Sequence, residues 1–301
     1  MAADLDVIGL GENSVDRVLV VPALPAASEK LQVQSANRLC GGQVATTLAA
    51  CAHLGLRTAY AGTIGNDDDG RLVRDTLAAR GIDLTHLRVR PIAATRWATI
   101  LVDARTGDRA VLWDRDAALS LTESEVAAID VARARLVHVD DTDIAASLQL
   151  ARTARTSGVL VTTDVDAGCG ADNALALIEL ATHAVLSEHA LAALAGTTEP
   201  ERGLRALRAR SRAVLVVTLG PRGAMALADS DLVTAPGIAV DAVDTTGAGD
   251  VFRAGLITAL LEGRALPETL RFANAAAALS CTRLGAIGGV PMRREVDALL
   301  R

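Results

Sequence analysis

The chain has 301 residues, half of them hydrophobic and 22% charged, with a net charge of −6 at neutral pH and a pI near 5.4. That length suits one large α/β domain with at most a small appended element, and an acidic chain without a long basic run argues against nucleic acid as a general partner. Four scattered cysteines (Cys40, Cys51, Cys169, Cys281) form neither a C-x-x-C pair nor a His/Cys zinc spacing, so reduced thiols are expected. Met1–Asp6 shows no basic and apolar leader pattern. No apolar stretch reaches the ~18–20 residues that cross a bilayer, and the expectation is a soluble cytoplasmic protein with no membrane partner.

In chain order, Asp6–Leu10 reads as a first strand, Gln43–Leu54 as an alanine-rich helix, Arg57–Ala61 as a strand, and Arg71–Arg80 as a helix stopped by Gly81. Leu136–Val139, Val159–Thr163, Ala184–Leu186 and Ala213–Thr218 read as further strands. The helices Ile144–Ser157 and Asn173–Ala181 fall between them, and the C-terminal third reads as mostly helical. Alternation at this spacing predicts a doubly wound α/β fold, a mainly parallel sheet flanked by helices. Two regions break the rhythm. Asp16–Val21 and Leu31–Ala36 have strand character with no helix between them, and Arg96–Val102 with Arg109–Asp114 reads as a hairpin closed by Asp103–Asp108. Together they predict a small separate β-sheet, a lid built from segments about 14–38 and 88–116 of a single 1–301 domain. A sheet with one dry face must cover a ligand or meet a partner.

Four stretches carry chemistry. Gly9-Leu10-Gly11-Glu12-Asn13-Ser14 follows a strand but lacks the third glycine and the helix of a dinucleotide site. Asp16, just past it, lies where open α/β sheets bind ligands, and a carboxylate there can take two sugar hydroxyls; a solvated strand-edge acid is the alternative. Gly41-Gly42 opens the helix at Gln43 and would let a polyol approach the backbone. Thr218-Leu219-Gly220-Pro221-Arg222-Gly223 follows an apolar strand and suits nucleotide phosphates, or is simply a hairpin turn. Gly65–Gly70 has the spacer of a P-loop but is followed by Arg71-Leu72, so ATP would not be bound through that motif.

The most informative run is Asp244-Thr245-Thr246-Gly247-Ala248-Gly249-Asp250, leading into an apolar helix. Its glycines can aim several backbone N–H groups at one anion at a helix N-terminus. Asp250 would stand beside that anion, placed to take a proton from an attacking hydroxyl. Read more plainly, Asp250 is a helix cap and the glycines a tight turn.

With these pieces in hand, the chain resembles the ribokinase-like (PfkB-type) carbohydrate kinases over essentially its whole length. The resemblance is carried by Gly9–Asp16, Gly41-Gly42, Gly62–Gly70, Thr218–Gly223 and above all Asp244–Asp250, which fits the family's Asp-Thr-x-Gly-Ala-Gly-Asp signature at every position. It implies ATP-dependent phosphorylation of a sugar or nucleoside hydroxyl, with Asp250 as base and Gly247, Ala248 and Gly249 as the anion hole. It further implies Asp16, Gly41, Gly42 and Thr46 at the substrate, Thr218, Gly220, Gly223 and Asn274 at the nucleotide, and a lid-to-lid homodimer. Magnesium accompanies ATP in such enzymes, and Asp244 and Thr246 would contribute to a potassium site.

Two positions depart from the pattern. Relatives that bind pentoses usually carry Asn where this chain has Thr46, so contacts to substrate hydroxyls should differ. The family's Asn-x-x-Glu segment is here Ser187-Glu188-His189-Ala190. Glu188 would have to serve the metal through water, or ATP would hold it. The alternatives are a nucleoside kinase, with Trp97 and Trp113 as its only stacking platforms, and a non-catalytic sugar-binding or regulatory relative.

Overall fold

In the computed structural model, which describes residues 3–106, 109–166 and 168–301, the β-branched runs become strands and the alanine-rich runs become the helices that cover them. The expected hairpin turn includes Gly107 and Asp108, and the acidic N-terminal stretch includes Met1 and Ala2; these four lie outside the described residues. The strands are β1 (Leu5–Leu10), β2 (Ser14–Val21), β3 (Ser35–Gly41), β4 (Thr58–Gly65), β5 (Asp83–Arg90), β6 (Trp97–Asp103), β7 (Arg109–Asp114), β8 (Ala134–Val139), β9 (Leu160–Val165), β10 (His183–Ser187), β11 (Val214–Thr218), β12 (Gly223–Ala228) and β13 (Asp231–Pro236).

Nine of them form one sheet in the order β13-β12-β11-β10-β9-β8-β1-β4-β5. Pairing is parallel from β11 to β5, with β12 and β13 added antiparallel at one edge. The order reverses beside β1, which puts a crevice at the C-terminal ends of β1 and β8. Every residue of β1 is buried because helices cover both sheet faces. One face packs Leu150, Leu177 and Leu204 from its helices against Val137 and Leu186. The other packs Leu48, Ile257 and Phe272 against Val7 and Leu136. Aliphatic side chains thus build most of the core, as the scarcity of aromatics requires.

The second sheet has the order β3-β2-β6-β7. Its central pair β2 and β6 is parallel, and each flanking pair is antiparallel. Val18, Ala98 and Ile100 form its small dry cluster. Its third strand differs from the expectation. It begins at Ser35 and ends at Gly41, because pairing with β2 runs from Val20↔Ser35 to Ser14↔Gly41, while residues 32–36 are exposed.

Other elements also depart from the sequence reading. The helix expected at Arg71 begins at Asp68, since Asp67 caps it by accepting the Gly70 N–H at 2.7 Å. Strand β5 is an edge strand in which Leu84, Leu87 and Val89 are interspersed with polar and charged residues, and the β12–β13 hairpin lies in the region expected to be mostly helical. Its Gly-Ala-Met-Ala-Leu-Ala composition carries little strand signature; antiparallel pairing to β11 makes it a strand. Among the described residues no helix is long and apolar enough to cross a membrane.

Candidate active site

At the crevice, β1 gives way to Gly11-Glu12-Asn13 before β2 begins. The Glu12 N–H donates to Asp140 Oδ2 at 2.7 Å, and Asn13 Nδ2 donates to the Tyr60 hydroxyl at 2.7 Å and the Thr63 carbonyl at 2.8 Å. These bonds fix where β2 leaves the large sheet, and so where Asp16 stands. Asp16 is 7% exposed and accepts from the Ser14 hydroxyl. Burial raises the pKa of its carboxyl, a common condition for a group whose partner is a ligand.

Gly41 and Gly42 are explained by close approach. A Cβ on residue 41 would stand 2.2 Å from Asp16 Oδ2, and one on residue 42 would stand 2.5 Å from the Asn13 Cα. Gly42, at φ +99°, is also the N-cap of the helix Gln43–His53. Thr46, in that helix, is wholly buried, and its hydroxyl has no hydrogen-bond partner among the described residues. Its methyl lies 3.3 Å from where a Cβ on Gly247 would be, so it packs beneath the glycine turn rather than on the cleft wall.

The turn itself is tied down by Asp244. One carboxylate oxygen accepts from the Thr246 N–H at 2.9 Å and the other from the Gly285 N–H at 2.8 Å, joining the turn to the 281–289 loop. Gly247 is left-handed (φ +76°) and caps the helix Ala248–Leu261; a Cβ there would meet Ala286 at 2.7 Å. The first intrahelical bond is donated by Val251 to the Gly247 carbonyl. The N–H groups of Gly249 and Asp250 therefore have no acceptor within the helix, and they sit at its positive end.

Asp250 occupies that first turn and lines an open cleft of about 680 Å³ together with Asp16, Gly42, Thr246, Gly247 and Ala286. Burial raises its pKa well above the usual carboxylate range, the charge of Asp164 adds to this, and Arg253 opposes it. From the small sheet, Arg96, Ala98, Ile100, Val111 and Trp113 line the same cleft. The Arg109 guanidinium reaches from β7 to the Thr246 hydroxyl at 3.0 Å, a direct contact between the two sheets' layers.

The remaining candidates lie elsewhere. Thr218, Gly220 and Gly223 form the turn between β11 and β12, closing an antiparallel pair in which Thr218 faces Ala224. Gly223 has φ +98°, and a Cβ there would stand 2.2 Å from the Ala235 carbonyl oxygen. Asn274 is buried and donates to the carbonyls of Ala235 and Pro236 at 3.0 Å, which secures the end of β13. Glu188 opens the helix Glu188–Ala195, and both its oxygens accept from Arg222 at 2.6 Å.

Sequence reading assigned no role to several charged residues that line or underlie the cleft, among them Glu12, Arg96, Arg115, Asp141 and Arg253. Glu12 pairs with Arg96 at 2.7 Å. Asp141 is 8% exposed with one oxygen lacking a hydrogen-bond partner. For Arg253 a signal was present, since it is the single charge in the apolar run Val251–Leu261.

A family model described as pfkB family carbohydrate kinase matches residues 3–293. The chain is 30% identical over 292 residues to a ribokinase of Haemophilus influenzae, covering 95% of each. It is 31% identical over 280 residues to an ATP-dependent ribose-1-phosphate kinase of Halopiger xanaduensis, covering 93% of each. The solved structure of Arabidopsis thaliana ribokinase complexed with ribose and ATP is similar with a TM-score of 0.86 at 26% identity, covering 100% of this chain and 99% of that one. On the matched length, the fold and these relatives, the chain belongs to the pfkB family of carbohydrate kinases.

Proposed function

We propose that the protein transfers the γ-phosphoryl group of ATP to a hydroxyl of a small sugar or sugar-like substrate. The observation that carries this reading is the presence of Asp16 and Asp250 on one cleft with the Gly247 turn between them in the lining. Asp16 binds a pair of substrate hydroxyls, helped by the bare backbone of Gly41 and Gly42. Asp250 accepts the proton of the attacking hydroxyl as its oxygen bonds to the γ-phosphorus and the bond to the bridging oxygen of ADP breaks. Backbone N–H groups of Gly247 and Gly249 receive the charge on the transferring group, joined by the Ala248 N–H, which here donates to the Thr245 carbonyl at 3.3 Å. Thr46 acts from beneath, shaping the turn.

The turn Thr218–Gly223 holds the nucleotide, and Asn274 supports it by fixing the end of β13. Magnesium would neutralise the phosphates when bound. Among the described residues no group of three or more His, Cys, Asp or Glu could hold a metal ion, and Glu188 is engaged by Arg222, so ATP itself would supply most ligands and Glu188 would act through water. For potassium, Asp244 and Thr246 would be the contributors; Asp244 reaches the 281–289 loop through the Gly285 N–H at 2.8 Å, and in that loop the carbonyl oxygens of Ser280, Gly285 and Arg283 gather within 3.5 Å of where a Cβ on Gly289 would be. Such an all-oxygen set suits a hard cation.

The small sheet acts as a lid. Leu112 and Trp113 on its edge strand are 56% and 63% exposed, which supports a second copy of the chain pairing there; sedimentation equilibrium tests the dimer. Trp113 also favours a second reading, a nucleoside kinase, because its ring lines the cleft, with the Arg96 guanidinium 5.5 Å from the ring centroid on one face.

A coupled ADP-release assay with Mg-ATP and potassium, against sugars, sugar acids and nucleosides, tests the reading. Turnover with a sugar supports it, turnover with nucleosides alone supports the second reading, and ATP binding without turnover on the whole panel contradicts both.

A further inference from the structure

Behind the first turn of the Ala248–Leu261 helix lies a full positive charge. Arg253 is 5% exposed, on a helix otherwise uncharged from Val251 to Leu261. Its guanidinium forms a close ion pair with Asp164 on β9, which is completely buried. The contact is not an aligned hydrogen bond, since both Asp164 oxygens and Arg253 Nε lack hydrogen-bond partners among the described residues. Helical side chains lean toward the N-terminus, so residue 253 reaches back one turn. Its Nη1 stands 2.8 Å from where a Cβ on residue 249 would be. Gly249 is therefore glycine because the space beside it belongs to the guanidinium.

A guanidinium does not give up its proton, and burying it demands counter-charge. Asp164 supplies one carboxylate, and Asp250 lies one turn back. Three further acids face Asp250: Asp164 from β9, Asp166 from the loop after it, and Glu12 from the loop after β1. Glu12 is already paired with Arg96, and Asp166 accepts from Gln43 Nε2 at 3.0 Å. On β8, His138 is completely buried, lies near Arg253, and has Nδ1 3.0 Å from the Thr162 hydroxyl. Burial and the positive charge of Arg253 hold this imidazole neutral, its pKa lowered to about 3. Asp140, at the end of the same strand, is buried with its pKa raised well above the usual range. Against this acidic surround Arg253 is the one cation acting directly on Asp250.

Building on the reading of Asp250 as the base, we propose that Arg253, anchored by Asp164, is a positioning residue for the transfer: it braces the anion-binding turn from behind and favours the carboxylate form of Asp250, the form that accepts the hydroxyl proton. Arg253 neither gives nor takes a proton. It is absent from the cleft lining, so it acts through Asp250 and the turn rather than on the substrate.

The test is the pH dependence of kcat and KM for ADP release in wild type, Arg253→Gln, Arg253→Lys, Asp164→Asn and Asp250→Asn, with the sugar that the panel identifies. Arg253→Gln is expected to lose on the order of 10²-fold in kcat at pH 7, with its acid limb moved up by about one unit or more, so that raising the pH restores turnover. Asp164→Asn leaves Arg253 unopposed and should move the limb the other way. Arg253→Lys keeps the charge and most of the activity. A limb that stays in place in both Arg253→Gln and Asp164→Asn overturns the inference, whatever happens to kcat. If Asp250→Asn is inactive while the limb fails to move, only this inference falls; if Asp250→Asn turns over, the reading of the base falls with it. Should Arg253→Gln not fold, with Asp164 left uncompensated, the Asp164→Asn direction decides. A carbon-13 carboxyl titration of Asp250 reads the same shifts without turnover, and unchanged titration in the variants contradicts the proposal.

Discussion

The carboxylate of Asp16 occupies the space that a side chain on Gly41 would need, with Oδ2 2.2 Å from the position of that Cβ. The two residues lie on paired strands two positions apart in register, since Gly41 faces Ser14 and Asp16 faces Leu39, and Gly41 stands two residues before the helix at Gln43. Gly41→Ala must displace the carboxylate from its place beside Ser14. Losing charged hydrogen bonds to substrate hydroxyls costs about 1.5–3 kcal/mol, so KM for the sugar is expected to rise ~10–100-fold with kcat less affected. Steady-state kinetics with unchanged thermal unfolding would bear this out, and an unchanged KM would separate Asp16 from the substrate.

Gly247→Ala tests the turn. The residue holds φ +76°, and its new Cβ would meet Ala286 at 2.7 Å. Left-handed backbone alone costs about 1–2 kcal/mol for a residue with a side chain. Lower thermal stability together with a fall in kcat is expected. A stable variant with full turnover would show that the turn need not be held in this form.

The contact of Arg109 with Thr246 joins the small sheet to the glycine turn before the Ala248–Leu261 helix through exposed groups. An exposed polar contact contributes at most about 1 kcal/mol, so Arg109→Ala should raise the KM of either substrate by no more than ~5-fold. Unfolding by urea should be unchanged. A complete loss of activity would mean that Arg109 touches the reacting groups.

Away from the cleft, Glu125 gives the stability a readable pH dependence. Arg90 donates to both its oxygens at 2.8 and 2.6 Å, and Thr122 completes a capping box with it. The hydrogen bonds from Arg90 hold its carboxyl down at about 2. A depressed folded pKa contributes stability above the unfolded value of about 4.3 and loses it as pH falls toward the folded one. Glu125→Gln should therefore lower the urea midpoint at pH 6, and the gap from wild type should close between about pH 4 and pH 2. A gap that persists at pH 2 would assign the effect to shape rather than charge.

Much of the site was legible because it is written in local backbone demands. Gly41, Gly42, Gly247 and Gly249 sit where a Cβ would strike a neighbour, and Asp250 follows the turn by one residue. The parallel sheet was legible from alternation, since β1, β8, β9 and β11 are apolar runs between amphipathic helices. Strand β5 and the β12–β13 hairpin were not, because their strand character comes from partners distant in sequence rather than from composition. Thr46 carries the residue type of a ligand contact, yet the helix face it occupies turns inward under Gly247. Arg253 shows as an odd charge in an apolar helix, but its meaning depends on Asp164, which only the packing of β9 against that helix brings to it.

The central claim is that Asp250 takes the proton of the attacking hydroxyl. Its most direct test compares Asp250→Asn with wild type for ADP release and, in parallel, for ATP and sugar binding by calorimetry. The account expects turnover to fall on the order of 10²–10⁴-fold while both ligands bind with near wild-type affinity, because the substitution removes the base and leaves the turn intact. Wild-type turnover in the variant would contradict it.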